Sequence, residues 1–301
     1  MNWRGVLPAI TTPFNADLSV DHGFLATHCK WLVDNGCKGV VALGSLGEGA
    51  TLSPAEKNEV LETCVRAIGD RAPVVAGISS LSTAEAVHIA KSAEERGCSG
   101  LMVLPPYVYI GDWREMKAHV SAILSSTTLS CMLYNNPIAY TTDFQPEHVS
   151  ELLGEFPHLH AIKESSADVR RVSALRAIAG DRLEIAIGVD DAVVEAVYAG
   201  AIGWIAGLVN AFPQESVRLF ELARDAKKQE AFELYRWFLP LLRLDTVPKF
   251  VQLIKLVQEE VGMGNQRVRP PRLTLTSDEL AQTKKLVTDS LATRPQLEGA
   301  P

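Results

Sequence analysis

Eight short apolar runs punctuate the first two thirds of this chain, and helical sequence separates each run from the next. They cover residues 6–10, 39–43, 73–77, 100–104, 130–134, 160–163, 183–187 and 202–206. Each is too short for a typical helix and dense in Val, Ile, Leu or Ala. Continuous apolar runs, as opposed to alternating ones, mark strands covered on both faces. The intervening segments carry helix chemistry. Between 21 and 35, Phe24, Leu25, His28, Trp31 and Leu32 form one apolar stripe. Ser53-Pro54-Ala55-Glu56 places a cap, a first-turn proline and a Glu at N3, which reads as a capping box, and Ser82-Thr83-Ala84-Glu85 repeats the pattern. Eight strand–helix units in succession predict an α/β fold, a parallel sheet closed into a (β/α)₈ barrel. An open doubly wound sheet would carry a glycine-rich turn after its first strand. Here that turn reads Thr11-Thr12-Pro13-Phe14.

More helical sequence follows the eighth run than one barrel helix needs. Candidate helices cover 213–227, 229–244, 247–260 and 277–292. In 231–244 apolar residues surround the helix, with Phe232, Leu234, Tyr235, Trp237, Phe238, Leu239, Leu241 and Leu242. A helix apolar on all sides must be buried. The expected organisation is therefore a barrel core over 1–212. Residues 213–292 add the last barrel helix and a C-terminal helical extension, packed on the barrel and on a neighbouring subunit. A loose tail occupies 293–301.

A chain of 301 residues can bury a core without staples. Its formal net charge of −7, with no basic stripe, argues against a nucleic-acid partner. No run approaches the ~18 apolar residues of a membrane span, and Pro8 breaks the opening apolar stretch, which lacks a signal-peptide pattern. The five cysteines (Cys29, Cys37, Cys64, Cys98, Cys131) are odd in number and form no C-x-x-C pair. They read as reduced, buried thiols of a cytoplasmic protein, with neither a disulfide framework nor a zinc site. Of the seven histidines only His160 approaches a strand end, so no metal site is expected.

Barrel enzymes work at the C-terminal ends of their strands. Past the second run comes Gly44-Ser45-Leu46-Gly47-Glu48, the fifth ends in Tyr134-Asn135-Asn136-Pro137, and the sixth ends in Lys163. A lysine in an apolar barrel loses hydration of its ammonium, so its pKa falls toward the range where a free amine attacks ketones. Taken alone, Lys163 is better read as the partner of a rim carboxylate such as Glu164. Tyr134 ends the adjacent strand and could shuttle protons to an imine. The 44–47 turn offers backbone N–H groups to a carboxylate, and the Ser45 hydroxyl could reach the Tyr134 phenol. Asp190-Asp191, past the seventh run, reads as a helix cap.

Together these motifs resemble the dihydrodipicolinate synthase / N-acetylneuraminate lyase family over nearly the whole chain. The resemblance runs through Thr11-Thr12-Pro13-Phe14, Gly44-Ser45-Leu46-Gly47-Glu48, Tyr134-Asn135-Asn136-Pro137, Ile162-Lys163-Glu164, Gly188-Val189-Asp190-Asp191 and Gly203-Trp204-Ile205 to Asn210. It implies Lys163 as the Schiff-base lysine, Tyr134 as the proton-transferring phenol and Ser45 as the hydroxyl linking that phenol to a relay. The Ser45 and Leu46 amides would bind the substrate carboxylate, and Gly188 and Ile205 would line the pocket. It also implies a homotetramer built as a dimer of dimers and no cofactor, because the imine is the electron sink.

Three departures point away from the lysine-biosynthetic synthases. The stretch Ile138-Ala139-Tyr140-Thr141-Thr142 lacks their arginine. Leu46 stands where they carry threonine. Their Tyr-Tyr pair, whose second member completes a relay across subunits, is here Tyr107-Val108, leaving Tyr107 or Tyr109 as substitutes. The expected activity is a lyase or aldolase acting on a 2-oxo acid such as a 4-hydroxy-2-oxoglutarate or a sugar acid, with Tyr140 facing the substrate's far end. A dehydratase, a deaminase of a hydroxyproline-derived pyrroline carboxylate, or dihydrodipicolinate synthase proper are the alternatives. An oxo-acid sensor on the same barrel is the non-enzymatic rival.

Overall fold

The computed structural model describes residues 1–107 and 109–297. Val108, one of the departures above, and residues 298–301 of the expected tail lie outside the described residues. Eight parallel strands form one sheet: β1 Gly5–Pro8, β2 Val40–Ala42, β3 Val74–Ile78, β4 Gly100–Val103, β5 Ser130–Asn135, β6 Leu159–Glu164, β7 Glu184–Ile187 and β8 Gly203–Ala206. Each strand hydrogen-bonds to its neighbours in chain order, and β8 pairs with β1. The seam between β1 and β2 closes through a parallel bridge of Ala9 with Val41 and the bond from the Ile10 amide to Val41 O (2.9 Å). The sheet is thus a (β/α)₈ barrel, and every residue of β2 to β5 is buried, as the continuous apolar runs require.

Helices fill the crossovers with their apolar stripes inward. Helix His22–Asp34 buries Leu25, His28, Cys29 and Leu32. Ser53 starts helix Pro54–Ile68 with the expected reciprocal bonds to Glu56 (3.3 and 2.9 Å). At Ser82 only half of the box forms. Its hydroxyl caps the Glu85 amide (3.2 Å), but the Glu85 carboxylate turns to the Ser80 hydroxyl (2.6 Å). A nearby side-chain donor outcompetes the exposed amide.

Beyond β8, helix Pro213–Arg224 packs against β1, and Lys228–Leu242 lies on it. The second of these buries Leu234, Tyr235, Phe238, Leu241 and Leu242, whereas Phe232 is 39% exposed. The expectation of burial on every side therefore fails at Phe232. Phe238 packs edge-on against Phe212, and burying one such ring contributes roughly 1.5–3 kcal/mol. The 3-10 turn Arg243–Asp245 then leads into helix Phe250–Glu260, and helix Ser277–Ala292 packs on that one and on Lys228–Leu242. No described helix is long and apolar enough to cross a membrane. All five cysteines are buried free thiols.

Candidate active site

β5 and β6 run in a register that sets Tyr134 beside Lys163. Register partners on neighbouring strands point to the same face. The Lys163 Nζ accordingly lies 4.4 Å from the centroid of the Tyr134 ring. Glu164, one residue on, turns to the other face, where its carboxylate accepts from Asn135 Nδ2 (3.0 Å) and the Ser166 amide (2.6 Å). Strand alternation therefore removes Glu164 as the ion-pair partner of Lys163.

Lys163 is 6% exposed. Loss of hydration lowers its ammonium to about 8, against the opposing pull of the Asp245 and Asp190 charges. With a pKa of about 8, about a tenth of the groups are free amine at pH 7, against well below a thousandth for an ordinary lysine. Tyr134 is buried as well, and its phenol accepts from Asn136 Nδ2 (3.0 Å). Burial pushes that phenol up to about 12, so it stays protonated near neutrality and can donate.

Ser45 does not reach Tyr134. Its hydroxyl hydrogen-bonds to the phenol of Tyr140. The short helix Pro137–Tyr140, capped by the Asn136 side chain on the Ala139 amide (3.0 Å), folds Tyr140 back over the barrel mouth. There its ring stands edge-on to Tyr134 (5.7 Å) and 5.9 Å from Tyr107, whose hydroxyl accepts from Ser79 Oγ (3.3 Å). Tyr107 thus joins an aromatic row ending at the amine. Tyr109 is 53% exposed and takes no part in that row.

The turn after β2 is held by Glu48 N to Ser45 O (3.2 Å) and by Thr12 Oγ1 to Gly47 O (2.6 Å). Among the described residues the amides of Ser45 and Leu46 donate to no protein acceptor, which leaves two adjacent N–H groups for an anion. Glu48, in the left-handed region at φ 53°, sends its carboxylate inward to Lys255 Nζ (2.6 Å) and the Arg269 amide (3.0 Å). Lys255 also donates to Arg267 O (2.6 Å) and lies over the Phe14 ring. The C-terminal extension therefore braces the turn. Sequence reasoning passed over Lys255, although a lysine inside the apolar stretch Leu253-Ile254-Lys255-Leu256-Val257 was a legible sign of a buried charge.

Gly188, just past β7, donates its amide to Glu164 O (2.9 Å), and a Cβ there would collide with Lys163 Cε and Ser165 Oγ. Ile205 is buried in β8 opposite Leu7. Asp190 does not cap a helix, contrary to expectation. Its carboxylate accepts from Trp204 Nε1 (3.0 Å) and from the amides of Gly207 (3.1 Å) and Leu208 (2.9 Å). Burial pushes it up to about 6. Asp245, from the turn Arg243–Asp245, lies against Gly207, and burial together with the Asp190 charge raises its carboxyl well above the usual range. No sequence pattern pointed to Asp245. Among the described residues no cluster of three or more His, Cys, Asp or Glu could hold a metal. A cleft of about 200 Å³ among Arg4, Arg176, Asp181 and Glu184 lies at the opposite end of the barrel, at the starts of β1, β7 and β8.

Comparison with known proteins gives a consistent picture. The model of the dihydrodipicolinate synthetase family matches residues 2–290. A 4-hydroxy-tetrahydrodipicolinate synthase of Methanococcus vannielii is 32% identical over 283 residues, 94% of this chain and 95% of the relative. The crystal structure of a putative dihydrodipicolinate synthetase from Pseudomonas aeruginosa superposes with a TM-score of 0.91 at 29% identity, covering 96% of this chain and all of that one. A prophage protein of the dihydrodipicolinic acid synthase family from E. coli K12, solved in complex with pyruvate, gives 0.91 at 25% identity, covering 97% and 99%.

Proposed function

Because this chain belongs to the dihydrodipicolinate synthetase family, whose members are class I Schiff-base lyases and synthases, we propose that it is a lyase acting on a pyruvate-type 2-oxo acid through Lys163. The observation that carries this reading is the buried Lys163 amine, lowered to about 8 and lying over the protonated Tyr134 phenol. The substrate carboxylate binds the Ser45 and Leu46 amides. Lys163 attacks C2, and Tyr134 supplies the proton with which the carbinolamine hydroxyl leaves as water. The resulting iminium draws in the electron pair of a bond at C3 and becomes an enamine. In aldol cleavage that bond is C3–C4, and the C4 hydroxyl gives up its proton as it becomes a carbonyl; in dehydration and deamination it is C3–H, and the enamine then expels water or an amine from C4. Ser45, through Tyr140, orients the aromatic row. Gly188 leaves the space that the Lys163 side chain needs, and Ile205 lines the pocket.

Leu46 and the absence of arginine between Ile138 and Thr142 favour the lyase and aldolase branch over the condensation named for the Methanococcus relative. That condensation is the second reading, supported by the names of the relatives. The exposed Phe232 on the extension suits an assembly of subunits, which we propose to be the homotetramer that the family resemblance implies, and the five free thiols suit a cytoplasmic setting. Borohydride reduction in the presence of pyruvate tests the covalent step. A stable adduct on Lys163, absent from Lys163→Ala, is expected. Activity retained by Lys163→Ala without any adduct would overturn the mechanism.

A further inference from the structure

One polar atom of a residue whose charge acts on Lys163, Asp245 Oδ1, is buried without a hydrogen-bond partner among the described residues. It approaches through a glycine: the Asp245 carboxylate occupies the space a Cβ would take at Gly207. Asp190 lies on the same side, but its two oxygens already accept from Trp204, Gly207 and Leu208. Asp245 therefore differs from Asp190 in having an acceptor with nothing bound to it. Leaving a buried acceptor unpaired is costly, because it has given up its water and gained nothing in return. Such an atom beside a reactive amine marks a place where a ligand supplies the missing donor.

The barrel decides what meets Asp245. A substrate with its carboxylate on the Ser45–Leu46 turn past β2 and its C2 on Lys163 of β6 spans opposite sides of the mouth. From C3 onward its chain must turn toward β5 or toward β7 and β8. The β5 side is walled by the Tyr134, Tyr140 and Tyr107 rings. The other side ends in Gly188, whose face is covered by Lys163 and Ser165, and in Gly207, against which the Asp245 carboxylate lies. We infer that Asp245 is a specificity-determining residue that receives the far end of the substrate, and that this end carries hydrogen-bond donors, hydroxyl or ammonium, and no second carboxylate. A second carboxylate would stand beside Asp245 and Asp190, while Arg243 at the exposed rim is already paired with Asp191 (3.6 Å). The inference rests on the Schiff-base reading of Lys163 and narrows its substrate class.

The test is the concentration dependence of borohydride trapping with pyruvate, 4-hydroxy-2-oxobutanoate and 2-oxoglutarate, each value divided by that for pyruvate in the same preparation. The wild-type chain should favour the hydroxylated acid over 2-oxoglutarate by about tenfold or more, the size of one hydrogen bond to a charged group. Asp245→Ala should erase that preference, and Asp245→Asn, which keeps an acceptor oxygen, should retain part of it. Should Asp245→Ala give no pyruvate adduct, Asp245→Asn and Asp245→Ser carry the comparison. A wild-type chain that traps 2-oxoglutarate as well as the hydroxylated acid, or ratios unmoved by these substitutions, would overturn the inference while leaving Lys163 in its role. Absence of any pyruvate adduct in the wild type would instead remove the Schiff-base reading, and this inference with it.

Discussion

Lys163 and Tyr134 are register partners on adjacent parallel strands, so the amine rests over the face of the phenol at 4.4 Å. This relationship needs no loop to create it. Two strand ends at equal height place a nucleophile and a proton donor on one wall of the barrel, and burial acts on both in useful directions. The charged amine is disfavoured and the neutral phenol is favoured.

The nucleophile is the neutral amine, so adduct formation should rise about tenfold per pH unit below about 8 and level off above it. Removing the Asp245 charge takes away the leading interaction that favours the ammonium. Asp245→Asn should therefore move the midpoint to lower pH. Initial trapping rates across pH 6–10 report both effects, and a midpoint near that of a free lysine would contradict the buried amine.

Tyr134→Phe keeps the ring under the amine and deletes the proton donor. Turnover should fall by roughly 10²- to 10⁴-fold, the usual worth of positioned proton transfer. Exchange of the pyruvate methyl hydrogens in heavy water, followed by NMR, reads the enamine step directly. Undiminished exchange in this variant would assign the proton to another group.

Ser45 acts on Tyr140, not on Tyr134. Ser45→Ala and Tyr140→Phe remove the same bond from its two ends, so their combined effect should fall well short of the sum. Ser45→Ala and Tyr134→Phe, linked only through the Tyr140 ring, should couple more weakly than that pair. A double-mutant cycle on kcat/KM separates the two patterns, and strong coupling in the second pair alone would restore the direct link to Tyr134.

Lys255→Met leaves the Glu48 carboxylate buried without its ammonium, a change that typically costs about 3–5 kcal/mol. Glu48→Gln combined with Lys255→Met should recover much of that loss. Denaturant unfolding measures both. A single variant within ~1 kcal/mol of wild type would mean that the pair does not brace the turn.

Gly188→Ala places a methyl group where Lys163 Cε and Ser165 Oγ now lie. Adduct yield should drop steeply while circular dichroism remains that of the wild type. Normal trapping in this variant would show that the lysine has room the packing does not reveal.

What the sequence by itself determined were the features of short range. Eight buried runs, the Ser53 cap and the stripe of helix His22–Asp34 follow from periods of a few residues, and a period of that length is physically the same in the sequence as in the fold. Lys163 and Tyr134 were legible for the same reason, since each ends such a run. Barrel closure alone decided the rest. It joined Ser45 to Tyr140 across 95 residues and Glu48 to Lys255 across 207, it turned Asp190 from an expected helix cap toward β8, and it seated Asp245 of the extension on Gly207. Those partnerships depend on which strand ends meet around the mouth and on which positions are glycine, and no local pattern encodes a neighbour brought from the far side of the sheet.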